Sequence, residues 1–333
     1  MASILLTGCA GFIGAKVCET LLEMGHAVVG VDNLNQAYDV RLKQWRLSQL
    51  TGRAGFTFHP LDIVDRHAMR RFWTESFSAN RSNTSGWSAV INLAARAGVR
   101  PSVEDPWLYY DTNVTGTLNL LELCHEFGVR KFVQASTSSV YGDSAVQPFT
   151  EDAVTDRPLS PYAASKKAAE VLCHTYHHLY GLDVTVLRYF TVYGPAGRPD
   201  MSMFRFVQWI SRGRPVTIYG DGQQSRDFTY VDDVAHGTVA GLKPLGYEVI
   251  NLGSDRPVVL IEIIRLIEDR LGRRARLEFE PRHPADVLAT WANIEKAGRL
   301  LEWRPHTAIE TGVERLVSWY QENESWAQHL ATE

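Results

Sequence analysis

Thr7-Gly8-Cys9-Ala10-Gly11-Phe12-Ile13-Gly14 is the stretch on which the fold turns. Ser3-Ile4-Leu5-Leu6 before it reads as a buried strand, and Ala15–Met24 after it as a helix closed by Gly25. Gly8, Gly11 and Gly14 therefore stand at a strand-to-helix turn. Glycine permits positive φ and lets a backbone approach a phosphate closely. The helix that follows offers free N–H groups and the positive end of its dipole. With Phe12 and Ile13 between the last two glycines, the turn is a candidate cradle for the diphosphate of a dinucleotide.

The next strand ends at Val31-Asp32-Asn33. A carboxylate there accepts hydrogen bonds from the adenosine ribose and repels a 2′-phosphate, so NAD is expected over NADP. The alternative for Asp32 is a turn residue closing a strand. Asp62-Ile63 closes the third strand and either reaches the adenine or caps the helix near His67.

Further along, short apolar runs alternate with amphipathic stretches. Candidate strands are Ile4–Thr7, Ala27–Val31, Phe56–His59, Ala89–Leu93, Lys131–Ala135 and Val184–Tyr189. Candidate helices are Ala15–Met24, Asn113–Phe127 and Tyr162–Tyr180, each followed by a glycine suited to a left-handed cap. Such alternation predicts an α/β protein with a Rossmann-type doubly wound parallel sheet. Ser78–Gly86 reads as a surface loop. Beyond about residue 190, Gly194-Pro195, Gly197-Arg198-Pro199 and Gly220-Asp221-Gly222 punctuate shorter elements. We expect residues 1–188 to bind NAD, with segments near 225–255 returning to that domain. Residues 189–333 are expected to form mainly a smaller, mixed α/β substrate domain.

Composition narrows the partners. The net charge is −4 with 22% charged residues, so neither nucleic acid nor an anionic membrane is an expected partner. No apolar run reaches the ~20 residues that span a bilayer, and the N-terminus has no signal-peptide pattern. Four scattered cysteines read as reduced thiols of a cytoplasmic protein.

Tyr162-Ala163-Ala164-Ser165-Lys166 places a phenol and an ammonium one helical turn apart on one face. A free tyrosine, with a pKa of about 10, is a poor base at neutral pH. A neighbouring cation favours the phenolate, so Tyr162 is a candidate general base and Lys166 its activator. The alternative is an exposed helix pair. His174, His177 and His178 share a helix at metal-ligand spacing. A partly exposed or interface helix is the preferred explanation, and no metal is expected.

In sequence order the chain carries the glycine loop, Asn92-Leu93-Ala94-Ala95, Asn113-Val114-Thr115-Gly116-Thr117, Ala135-Ser136-Thr137-Ser138-Ser139-Val140-Tyr141-Gly142 and Tyr162-x-x-x-Lys166. In these motifs it resembles the extended short-chain dehydrogenase/reductase family over nearly its whole length. The resemblance implies that Thr137, Tyr162 and Lys166 are catalytic. It also implies that Leu93, Ala94, Ala95 and Asn113 adjoin the cofactor, and that Lys166 bonds the nicotinamide ribose. Sugar-nucleotide dehydratases of the family usually carry Asp-Glu after that threonine. Here Ser138-Ser139 stand there, which disfavours dehydration.

Phe190-Thr191-Val192-Tyr193-Gly194-Pro195-Ala196-Gly197-Arg198-Pro199-Asp200-Met201 resembles the sugar-binding segment of UDP-glucuronate 4-epimerases. Val99-Arg100, Arg226–Asp233 and Pro284-Ala285-Asp286-Val287 fit the same group. Asn92, Arg96 and Pro101 depart from its common His, Gln and aromatic. The implied reaction is NAD-dependent inversion of C4 on UDP-glucuronate through a 4-keto sugar. Alternatives are 4-epimerisation of a neutral UDP-sugar, UDP-glucuronate decarboxylation, or a non-catalytic NAD-sensing protein. Arg198 is a candidate clamp for a carboxylate or a turn-capping surface arginine. Arg226 and Arg282 are candidates for the diphosphate. Val216 and Tyr219 either sandwich the uracil or pack a strand. Thr191, Ser138, Ser139, Arg100 and Asp286 complete the candidate sugar site. The resemblance also implies a homodimer packed through Asn113–Phe127 and Tyr162–Tyr180.

Overall fold

The computed structural model describes residues 2–79, 86–143, 146–281 and 287–332. Its strands are β1 (Ser3–Thr7), β2 (Ala27–Asp32), β3 (Phe56–Pro60), β4 (Ala89–Asn92), β5 (Lys131–Thr137) and β6 (Asp183–Tyr189), then β7 (Thr191–Tyr193), β8 (Pro215–Tyr219), β9 (Ser225–Tyr230), β10 (Tyr247–Leu252), β11 (Pro257–Val259) and β12 (Arg276–Glu280). Seven of them form one sheet in the order β10-β6-β5-β4-β1-β2-β3. Every neighbouring pair in it is parallel. The expected Rossmann-type sheet is therefore present.

Side chains alternate across a strand, so a strand covered on both faces must be apolar throughout. In β1, Ile4 and Leu6 pack with Val17, Leu21, Val234 and Val239 on one face. Leu5 between them packs with Trp73, Leu120, Phe132 and Cys173 on the other. The strand order reverses at β1, where β2 lies on one side and β4 on the other. Ligands of open α/β sheets bind in the crevice at the carboxyl ends of such strands.

The expected helices form with small shifts at their ends. The first spans Phe12–Glu23 and the third Pro161–Tyr180. The second begins as a π-turn, Asp111–Thr115, before Gly116–Phe127. Gly128 and Gly181 cap their helices at φ 72° and 66°. The helix at Val40–Leu50 was not anticipated from the sequence, and the one expected near His67 spans Arg66–Ala79. The second of these takes up the start of the expected Ser78–Gly86 loop, of which residues 80–85 lie outside the described residues.

Past β6, two small sheets, β11-β9-β7 and β12-β8, stand beside the large one. Their core comes from Phe204, Val207, Ile263, Ile267, Val313 and Tyr320 on the helices Ser202–Ser211, Leu260–Leu271 and Ile309–Glu322. β10 rejoins the large sheet against β6. No helix among the described residues is long and apolar enough to cross a membrane.

Candidate active site

The glycine turn is built to tolerances that no side chain fits. Gly8 sits at φ +74°, and a Cβ there would lie 2.7 Å from the backbone of Leu93 and Ala94. A Cβ on Gly14 would lie 2.0 Å from the Gly8 carbonyl oxygen. The turn after β1 thus touches the loop after β4. The cleft between them is lined by Gly8, Gly11, Phe12, Ile13, Gly14, Asp32, Asn33, Asp62, Ile63, Leu93, Ala94 and Ala95. Tyr162, Lys166 and Arg198 line it too. The Asp32 carboxylate accepts from Ala10 N at 3.1 Å and Leu34 N at 2.8 Å. It therefore braces the turn while bordering the cleft, joining both sequence readings in one residue. Asn33 Nδ2 donates to Asp62 Oδ2 at 2.8 Å, and Asp62 Oδ1 accepts from Val64 N at 2.9 Å.

Asn113 does not line the cleft. Its Nδ2 donates to the Arg96 carbonyl at 3.0 Å and to Ser165 Oγ at 2.9 Å, and its Oδ1 accepts from Arg96 N at 2.8 Å. With both ends of the amide engaged, Asn113 ties the loop after β4 to the helix that bears Lys166. Asn92 is fully buried between Thr7, Thr117 and Gln134, at 2.6, 3.1 and 2.9 Å. An amide satisfies all three neighbours without a charge. Asn35, Tyr38 and Lys43 also border the cleft, a group the sequence did not reveal. Lys43 Nζ donates to Asn35 at 3.1 Å and lies 3.9 Å from Asp32.

Thr137 ends β5, and Tyr162 and Lys166 stand in the first turns of the Pro161–Tyr180 helix, which Ser160 caps by accepting from Ala163 N. The Thr137 hydroxyl lies beside that of Tyr162 and favours its ionised form. Thr137 Oγ1 donates to Ser139 Oγ at 3.2 Å. The expected lowering of the phenol rests on the Lys166 ammonium together with the nicotinamide cation; within the protein itself burial is the larger influence. Burial holds Tyr162 above the ordinary tyrosine value, opposed by Thr137 and the charge of Arg198. Lys166, only 3% exposed, is itself pushed down to about 8 by burial, with Glu170 opposing. Desolvation outweighs the cation because both groups lie largely away from water.

A second cavity of roughly 720 Å³ meets the cleft at Ala37 and Tyr38. Arg100, Tyr219 and Arg226 line it, and the Arg100 guanidinium lies 3.9 Å above the Tyr219 ring. Arg226 donates to the carbonyls of Ser225, Val287 and Leu288. Val216 is not at this cavity. The strand's alternation turns it into the C-terminal core, fully buried, so the packing reading holds for it. Arg198 faces the cleft rather than the large cavity, bonded to Asp200 at 2.5 and 3.1 Å and to the Ala97 carbonyl at 3.0 Å. Thr191, Ser138 and Ser139 are partly buried. Arg282 and Asp286 lie outside the described residues. Among the described residues no three metal-ligating side chains cluster. His174 and His177 pack against Tyr247.

Residues 4–253 match the model of the NAD dependent epimerase/dehydratase family. The chain belongs to that family. Among its relatives is a UDP-glucuronate 4-epimerase of Thermodesulfobacterium geofontis, 56% identical over 97% of each chain. The UDP-glucuronic acid 4-epimerase of Bacillus cereus, solved with UDP-glucuronic acid and NAD, superposes with a TM-score of 0.87. It is 36% identical, over 96% of this epimerase/dehydratase chain and 99% of its own. A UDP-glucose 4-epimerase of Thermotoga maritima, solved with UDP-glucose, gives a TM-score of 0.86 at 32% identity, over 97% and 99% of the two chains.

Proposed function

We propose that this chain is an NAD-dependent isomerase that inverts C4 of UDP-glucuronate to give UDP-galacturonate. The observation that carries the reading is the meeting of Tyr162 and Lys166, with Thr137 beside the phenol, at a cleft whose floor is the glycine turn. The turn fits the cofactor, since its glycines leave room only for backbone beside a diphosphate. NAD, when bound, would supply the two-electron acceptor and donor for the C4 hydride, whose return to the opposite face of that carbon inverts it. Gly8, Gly11, Phe12, Ile13 and Gly14 hold its diphosphate; Asp32, Asn33, Asp62 and Ile63 hold its adenosine, and Leu93, Ala94 and Ala95 complete the wall. Tyr162 takes the O4 proton and returns it to the same oxygen after the 4-keto sugar has turned its opposite face to the cleft. Thr137 bonds the same oxygen, and Lys166 adds positive charge beside the phenolate. Arg100, Tyr219 and Arg226 are assigned to the uridine diphosphate, and Ser138, Ser139, Thr191 and Arg198 to the sugar. The chain divides accordingly, with 1–188 and β10 for NAD and 189–333 mainly for the UDP-sugar.

A C4 ketone beside a C6 carboxylate is a β-keto acid and loses CO2 readily. A carboxylate held near the ketone plane by Arg198 and Thr191 resists that loss. Arg198→Ala is expected to raise KM for UDP-glucuronate about 10–100-fold, the worth of a charge-assisted pair, and to yield some UDP-pentose. An unchanged KM rejects the clamp. One observation favours a neutral sugar instead: Arg198 is already paired with Asp200. Incubating the full chain separately with UDP-glucuronate and UDP-glucose decides between them. UDP-galacturonate from the first is expected; UDP-galactose from the second alone, or UDP-pentose as the main product of the first, overturns the assignment.

Leu118, Val171, Leu179 and Tyr180 are exposed apolar residues on the helices Gly116–Phe127 and Pro161–Tyr180. They support a homodimer through these helices. Light scattering should return twice the chain mass, and a monomer at micromolar concentration rejects it. The four buried free thiols support a cytoplasmic location.

A further inference from the structure

Three cations around the cofactor cleft are held by acceptors within the protein. Arg46 donates to the Ala196 and Ala10 carbonyls and to the Tyr38 hydroxyl. Lys43 has Asn35 and the Asp32 carboxylate. Arg198 has Asp200 and the Ala97 carbonyl. Arg96 differs. Its backbone is fixed on both sides by Asn113, and its neighbours Ala95 and Ala97 line the cleft. Its side-chain Nε is buried without a hydrogen-bond partner.

The surroundings make that donor costly. Burial holds the Lys43 amine below the usual lysine range against the pull of Asp32, and Arg96 is the first of three guanidinium groups that add to the effect. A buried guanidinium N–H without an acceptor, set among other cations, is unfavourable until an anion arrives. The loop that carries Arg96 is the loop after β4, which touches the glycine turn at Leu93 and Ala94. The anion expected on that turn is a diphosphate, and a planar guanidinium suits its oxygens.

We propose that Arg96 donates to the dinucleotide's diphosphate from the loop after β4, a second support beside the glycine turn. The proposal rests on the cofactor reading above but not on the choice of sugar. A cleft assembled this way holds mutually repelling charges until the dinucleotide neutralises them. The cost to the empty protein becomes affinity for the cofactor.

Thermal unfolding of the full chain, titrated with NAD, ADP, adenosine or UDP-glucuronate, reads apparent affinity through the ligand-induced shift. Arg96→Gln is expected to weaken NAD and ADP about 10–100-fold, the range of one charge-assisted bond, and to leave adenosine unchanged. Without nucleotide, the variant should melt no lower than the parent. NAD and ADP affinities within about twofold of the parent overturn the proposal, as does an equal loss for adenosine. A loss confined to UDP-glucuronate assigns the guanidinium to the sugar acid and overturns it as well. Because ADP carries no sugar acid, failure of the epimerase reading would leave the ADP result standing.

Discussion

Tyr162→Phe is expected to lower kcat on UDP-glucuronate by about 10²–10⁴-fold, the usual share of one positioned proton carrier, while NAD stays bound. The variant loses one hydroxyl, and its ring keeps its edge contact with Tyr109 at 6.1 Å between centroids. Folding and cofactor retention are therefore the controls. A variant within about tenfold of the parent would remove Tyr162 from the chemistry. The pH profile carries a second check. The Lys166 amine is pushed down to about 8 by burial, so the free enzyme loses this cation as pH rises through that value. Activity should fall above about 8, well before the phenol of Tyr162 ionises by itself. The linkage to stability has the opposite slope. A lysine with a lowered folded value costs stability below that value, so the protein should gain stability between about 8 and the ordinary lysine range.

The parts of this molecule legible in its sequence are those whose partners lie close along the chain. The turn from β1 into Phe12–Glu23 announces itself through three glycines in seven residues. Tyr162 and Lys166 face one way because a helix repeats every 3.6 residues. β7 and β9 pair Thr191 with Phe228, and β8 pairs Pro215 with Arg276. Strands that short carry too little pattern to reveal partners so distant. Val216 illustrates the limit. Alternation shows that Val216 and Thr217 face opposite ways, but only packing decides which of them meets the core. Lys43 and Asn35 come to the cleft on the unanticipated Val40–Leu50 helix and the loop before it. Asn113 was legible as a motif, yet its work is to brace the loop at Arg96 rather than to line the cleft.

Glu170 shows how a residue outside the motif can decide both stability and rate. It stands one turn beyond Lys166 on the same helix, with its side chain 2% exposed. Arg188 meets it with Nη2 at 2.8 Å and Nε at 2.9 Å, and Ser136 Oγ donates at 2.6 Å. Burial would raise this carboxyl, but the bonds from Arg188 and Ser136 overcome it and hold the group below the usual range. Glu170→Gln leaves the Arg188 charge buried without a counter-ion, so unfolding in urea should show a loss of about 3–5 kcal/mol. A loss under about 1 kcal/mol would mean that water or Tyr141, which accepts from Arg188 at 3.0 Å, replaces the carboxylate. The sign with pH is fixed. A carboxylate with a lowered folded value stabilises above its unfolded value, so the parent's advantage should shrink as acid protonates Glu170. The same change reaches the chemistry. Glu170 is the carboxylate that opposes the fall of Lys166, so without it the alkaline limb of the rate should move below about 8. A purely structural glutamate would lower stability and leave that limb where it is.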